Sequence, residues 1–148
     1  MIFDKVETQK VIDRINLLSP NSERIWGTMS VDQMLAHCNV AYTMVYDDTI
    51  AKPDAFKKWL LKTFVKKVVV GDKPYKRSAQ TAPEFMIEGT RDFQVEKEKL
   101  CANLLKTQRL GGSYFDNRES HSFGKLTSQE WHYLFYKHLD HHLKQFAV

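Results

Sequence analysis

The chain has 148 residues, 43% apolar, 27% charged and 12% aromatic, with a formal net charge of +4. Mixed charge and plentiful aromatics exclude a disordered chain, and no apolar run approaches the roughly 20 residues that a bilayer span needs. The opening MIFDKVETQK has acids early and no apolar h-region, so it is not read as a secretory signal. Two cysteines, Cys38 and Cys101, are too few for a disulfide framework, and the expected compartment is the cytoplasm with both thiols reduced. A chain of this length buries about 68–70% of its unfolded surface, so a single domain over residues 1–148 with its own core is expected.

Helical periodicity dominates from the start. A first helix is expected from about Lys5 to Leu18, with Val11, Ile12, Ile15 and Leu18 on one side and Pro20 and Asn21 stopping it. After a loop holding Trp26 and Gly27, Ser30 and Gln33 have capping-box spacing and open a second helix, Val31 to Tyr46. A third helix begins after Pro53 and ends near Gly71. It is basic: between Lys52 and Arg77 nine Lys/Arg face only Asp54 and Asp72, a net +7 that leaves −3 for the rest of the chain. Phe56, Trp59, Leu60, Phe64 and Val68 recur at helical spacing, so the lysines around Lys57–Lys67 are expected to form a solvated face with the apolar residues packed inward. Residues 72–89 look irregular. A fourth helix should run from about Arg91 to Leu110 and stop at Gly111–Gly112. A loop follows, and Thr127 with Glu130 caps a final helix to about Phe146. No strand alternation is convincing, although Val68–Val70 and Phe85–Ile87 could form short extended pieces. The expected fold is all-α, an up-and-down bundle of four long helices with the basic helix inserted between the second and the penultimate.

The chemistry lies in six histidines, at 37, 121, 132, 138, 141 and 142. At 100° per residue, with His138 at zero, Trp131 falls at about +20°, His142 at about +40°, Phe135 at about +60° and Gln145 at about −20°. His138 and His142 therefore share the face that Trp131 and Phe135 send toward the core. Imidazoles four apart can grip one metal ion. His141, at about −60°, is a poorer substitute for His142, and His132, at about +120°, points away. In the second helix the stripe Met34, His37, Ala41, Met44 turns His37 inward as well. A lone inward histidine is usually a satisfied core residue, but three must satisfy six ring nitrogens, and one shared cation does this at once. Three nitrogens plus an open position is the arrangement of a catalytic metal site. Gln145, one turn past His142, has an amide that could orient a ligand or substrate. His121, in the loop before the final helix, is a candidate substrate contact. Cys38 points about 100° from His37 and reads as a small core residue. Imidazole suits several metals, with Zn and Ni the first candidates.

WGTMSVDQMLAHC (26–38) and FGKLTSQEWHYLFYKHLDHHLKQF (123–146) resemble the DinB/YfiT-like superfamily, and more narrowly its bacterial subgroup of uncharacterised proteins. The resemblance implies a four-helix bundle and a metal triad made of one His from the second helix and an H-x-x-x-H pair from the last. A Gln stands three residues after the final His. These map onto His37, His138, His142 and Gln145. The superfamily includes thiol-dependent S-transferases and isomerases that use a divalent metal, so the expected function is a metal-dependent transferase using a low-molecular-weight thiol. Trp26, Met29, Trp131 and Phe135 are expected to wall the small-molecule substrate. The alternatives are a metal-activated hydrolase and a non-enzymatic binding bundle. No specific nucleic acid and no membrane is expected as a partner, and a homodimer stays open.

Overall fold

The computed structural model describes residues 1–47 and 49–148, and the protein is mostly helical. The helices are α1 (Lys5–Asn16), α2 (Val31–Tyr46), α3 (Ala55–Leu60), α4 (Lys66–Val70), α5 (Phe93–Phe115) and α6 (Ser128–Gln145). A π turn, Leu61–Val65, joins α3 to α4, and a 3-10 turn covers Pro83–Phe85. α1 and α2 each pack on α5 and α6, α5 touches α6, and α4 lies on α6. The start signals act as the sequence suggests. The Ser30 backbone N–H donates to Gln33 Oε1 at 3.0 Å. Thr127 and Glu130 bond reciprocally, side chain to backbone, at 3.2 and 2.9 Å.

The apolar stripes meet in one core. α1 buries Val11, Ile12 and Ile15, α2 buries Met34, Leu35, Cys38 and Tyr42, and α6 buries Trp131, Phe135, Leu139 and Leu143. Phe115 touches the Phe3, Trp131 and Phe135 rings at 5.2, 5.5 and 5.6 Å, and Tyr42 stacks on Phe135 at 4.9 Å. Each such side chain contributes about 1.5–3 kcal/mol when fully buried. This packing, rather than helix propensity, holds helices of this length. Among the described residues no helix is long and apolar enough to cross a membrane.

Four expectations need correction. First, the chain is not purely α-helical: Arg118–Ser120 (β1) and Gly124–Leu126 (β2) pair antiparallel, with Ser120 opposite Gly124. Three-residue strands are too short to show alternation. The signal was Gly124, at φ +75°, closing a three-residue hairpin loop. Second, Val68–Val70 is helical, and Phe85 ends the 3-10 turn, so neither piece forms a strand, although Met86 is extended. Third, the helix does break at Gly111, which takes φ +75°, ψ 166°, but it resumes for one further helical turn that carries Phe115 into the core.

The fourth correction is the basic segment, whose amphipathicity faces the opposite way. Phe56, Trp59, Phe64 and Val68 are 70, 55, 67 and 60% exposed. Lys58 and Lys66 are the lysines that turn inward, reaching Glu119 at 2.7 Å and Glu130 at 2.8 Å. At the far end Lys137 of α6 donates to the Val68 and Gly71 carbonyls, both at 2.6 Å, satisfying the last turn of α4. Ion pairs this exposed contribute about 0–1 kcal/mol each, less than burial of a single Phe, so they do not by themselves account for the outward turn of four large apolar side chains.

Candidate metal centre

α2 carries His37 and α6 carries His138 and His142, and the contact between these helices brings the three rings together. Ring centroids are 4.9 Å apart for His37–His138, 4.5 Å for His37–His142 and 4.9 Å for His138–His142. One ligand nitrogen from each lies within 4.8 Å of the others. Tetrahedral ligands about 2.0–2.1 Å from a zinc ion stand about 3.3–3.4 Å apart, so a small rotation of each ring would close the set around an ion.

The outer nitrogens decide the tautomers. His37 Nδ1 is 2.9 Å from the Phe85 carbonyl, which can only accept, so the proton sits on Nδ1 and leaves Nε2 bare. Gln145 Nε2 donates to the Trp26 carbonyl at 2.8 Å, which fixes the amide. Its Oε1 then accepts from His142 Nδ1 at 2.9 Å, leaving His142 Nε2 bare as well. His138 Nε2 lies 2.9 Å from His37 Nε2. With His37 already protonated at Nδ1, His138 donates across this gap when no cation is present. Orienting hydrogen bonds of this kind accompany metal-ligating histidines. The donor set therefore fits a divalent ion.

His37 and His142 are buried, and His138 is partly exposed. Burial is the largest cause that pushes all three toward the neutral form, and neighbouring imidazoles add to it: His142 and His37 beside His138, His37 beside His142, and His141 near all three. His142 is lowered to about 3, His138 well below its usual value and His37 below it. Neutral imidazoles at neutral pH are what a cation needs.

The other candidate residues divide around this cluster. Gln145 touches it directly. His141 offers no ligand atom to it, but its ring is 5.0 Å from that of His142, 5.9 Å from Trp26 and 5.7 Å from Tyr75. His141, Trp26 and Tyr75 line a hollow of about 360 Å³ with Arg77, Lys137 and Asp140, among others. The Arg77 guanidinium lies 4.3 Å over the Trp26 ring. Trp131 and Phe135 are 1% exposed and belong to the aromatic core, so they form no open wall. Met29 is half-buried and does not line that hollow. His121 lies in the hairpin turn, bonded to Ser122 Oγ at 2.9 Å and the Ile50 carbonyl at 3.3 Å, outside the triad. Cys38 is buried beside Met34, and burial pushes its thiol pKa up.

Two contributors were missed from the sequence. Phe85 supplies the carbonyl for His37, and its ring packs 5.3 Å from His37 and 5.7 Å from His138. A backbone acceptor leaves no mark in a sequence. Gly27 lies against Gln145: a Cβ there would come within 2.4 Å of Nε2, and its φ is +81°. A glycine directly after Trp26 was the available signal.

A family model described as a protein of unknown function (DUF1569) matches residues 3–148, and the chain belongs to that family. No curated protein and no solved structure matches it.

Proposed function

We propose that this member of the family is a metal-dependent enzyme. It would be a DinB/YfiT-like up-and-down four-helix bundle in one domain over residues 1–148, working in the cytoplasm. His37, His138 and His142 hold a divalent ion, Zn or Ni, and the reaction is transfer of a low-molecular-weight thiol to a small electrophile. The observation that carries the reading is the pair of bare Nε2 atoms on His37 and His142, each fixed by a hydrogen bond at Nδ1, converging with His138. A bound ion with an open position lowers the pKa of a coordinated thiol or water. The chain's own residues then orient and enclose. Phe85 and Gln145 hold two ligand rings in place. Trp26 and Tyr75 offer ring faces for an apolar co-substrate, and Arg77 places a fixed cation beside a leaving anion.

Metal analysis of the purified protein beside His138→Ala tests the site. One ion per chain, lost in the variant, is expected, together with thiol-dependent conjugation of an activated aryl halide. Absence of bound Zn or Ni would defeat the reading. A metal-activated hydrolase is the second reading, favoured by His141: it faces the same hollow, and burial holds it below its usual pKa and so neutral enough to accept a proton. Turnover of an activated ester that needs the metal but no thiol would select it. Bound metal without turnover of either substrate would leave a binding protein.

A further inference from the structure

The α3–π–α4 segment displays an apolar ridge that the metal chemistry does not use. Its continuity comes from the π turn. Lys66 N–H bonds to the Leu61 carbonyl, five residues back, which inserts one residue into the helix. In an uninterrupted α-helix with Phe56 at zero, Phe64 and Val68 would rotate to about +80° and +120°. The insertion returns them to about −20° and +20°, in line with Phe56, with Leu60 at about +40° and Trp59 at about −60°. The rings meet accordingly: Phe56 lies 6.1 Å from Trp59, and Trp59 meets Phe64 edge-on at 6.4 Å, a spacing of five residues that the π turn creates. Lys57 and Lys67 flank the ridge at about +100° and −80°, both exposed, with Lys57 also paired to Glu84 at 2.6 Å. Lys58 and Lys66 are on the opposite side, neutralised by Glu119 and Glu130.

We propose that this segment docks on an anionic lipid bilayer surface, with Phe56, Trp59, Phe64 and Val68 at the headgroup boundary and flanking lysines on the phosphates. Aromatic and aliphatic side chains on one face with lysines beside them are the signature of an interfacial helix. A fluid lipid boundary covers exposed side chains such as these without needing a matching groove. Charge selects the occupant. Residues 52–77 carry +7 against −3 for the remainder of the chain, and although Glu84, Glu119 and Glu130 pair with three of its lysines, the segment keeps a net positive balance. Two copies laid ridge to ridge would oppose two such segments, whereas an anionic leaflet attracts one. The segment lies on the surface without spanning, in keeping with the lack of any membrane-crossing helix among the described residues. The inference departs from the sequence expectation of no membrane partner, and it does not depend on the metal chemistry.

Flotation of the full chain with vesicles of phosphatidylcholine containing about 30% phosphatidylglycerol tests it. Binding is expected to anionic vesicles and not to phosphatidylcholine alone, weakening as salt rises. Trp59 emission should shift to the blue and be quenched by brominated lipid, and Trp59→Phe should remove that signal while binding persists. The double variant Phe56→Ser/Phe64→Ser should lose binding at least about tenfold, and Lys67→Glu should lose about fivefold or more. Both variants change exposed residues, so circular dichroism and metal content should match the parent. No binding to anionic vesicles, equal binding of the double variant, or an unshifted Trp59 would each overturn the proposal. A dimer that Phe64→Ser dissolves, without vesicle binding, would overturn it in favour of a second copy.

Discussion

His142 is oriented through a relay of three residues: its Nδ1 donates to Gln145, Gln145 donates to the Trp26 carbonyl, and Gly27 leaves room for that amide. Gln145→Leu leaves a buried N–H without an acceptor and frees the ring to turn. Metal affinity is expected to fall about 10- to 100-fold, measured by competition with a chromogenic chelator. Gly27→Ala should act in the same direction, because its Cβ meets the amide and its φ is left-handed. Protonation gives a second test. His142 is lowered to about 3 in the fold from an ordinary 6.5, so below pH 6.5 the unfolded chain binds more protons than the folded one. The metal-free protein should therefore lose stability as pH falls from about 6.5 toward 3, by up to about 1.4 kcal/mol per pH unit for each such histidine. Urea unfolding between pH 7 and 5 reads this, and a flat or rising stability would contradict it. In the core, Tyr42 Oη is buried without a hydrogen-bond partner among the described residues. Tyr42→Phe removes the polar atom and keeps the ring that stacks on Phe135, so its thermal midpoint should equal or exceed that of the parent.

At the scale of elements, Gly111 decides how α5 ends. Its φ and ψ, +75° and 166°, lie where a residue with a Cβ is strained, although no atom lies within 4 Å of the place a Cβ would take. Gly111→Ala should cost about 1–3 kcal/mol through the backbone alone, read in chemical denaturation, with metal binding intact. The starts of α2 and α6 were legible because they rest on local chemistry, Ser30 and Thr127 occupying their cap positions, whereas α5 starts at Phe93 behind the cap Asp92 rather than at the expected Arg91. The basic segment was not legible in its orientation. Periodicity shows that Phe56, Trp59 and Leu60 share a face, but which face is covered depends on what lies beside it. Here Lys58 and Lys66 lie on the inner side and meet Glu119 and Glu130, distant partners that nothing within residues 52–77 announces. The one-residue insertion at Leu61–Val65 has no composition of its own to announce it.

At the scale of the molecule, the site joins α2 to α6 across 101 residues of chain between His37 and His138. An ion held by both helices binds the folded state and not the unfolded one. At a free metal concentration 100 times Kd it should stabilise the fold by about 2.7 kcal/mol. Calorimetry with added Zn, then with excess chelator, should show the midpoint rise and return. His138→Ala should abolish the metal-dependent part of the change.

The sequence by itself determined the four amphipathic helices and the three inward-facing imidazoles, because 3.6-residue periodicity and the i, i+4 spacing of His138 and His142 are local geometry. Tertiary structure alone decided the rest. It placed the Phe85 carbonyl behind His37, set Gly27 against Gln145, took Trp131 and Phe135 into the core and turned the aromatic ridge outward. Each of these depends on a partner distant in the chain, and periodicity shows that residues share a face without showing what that face meets.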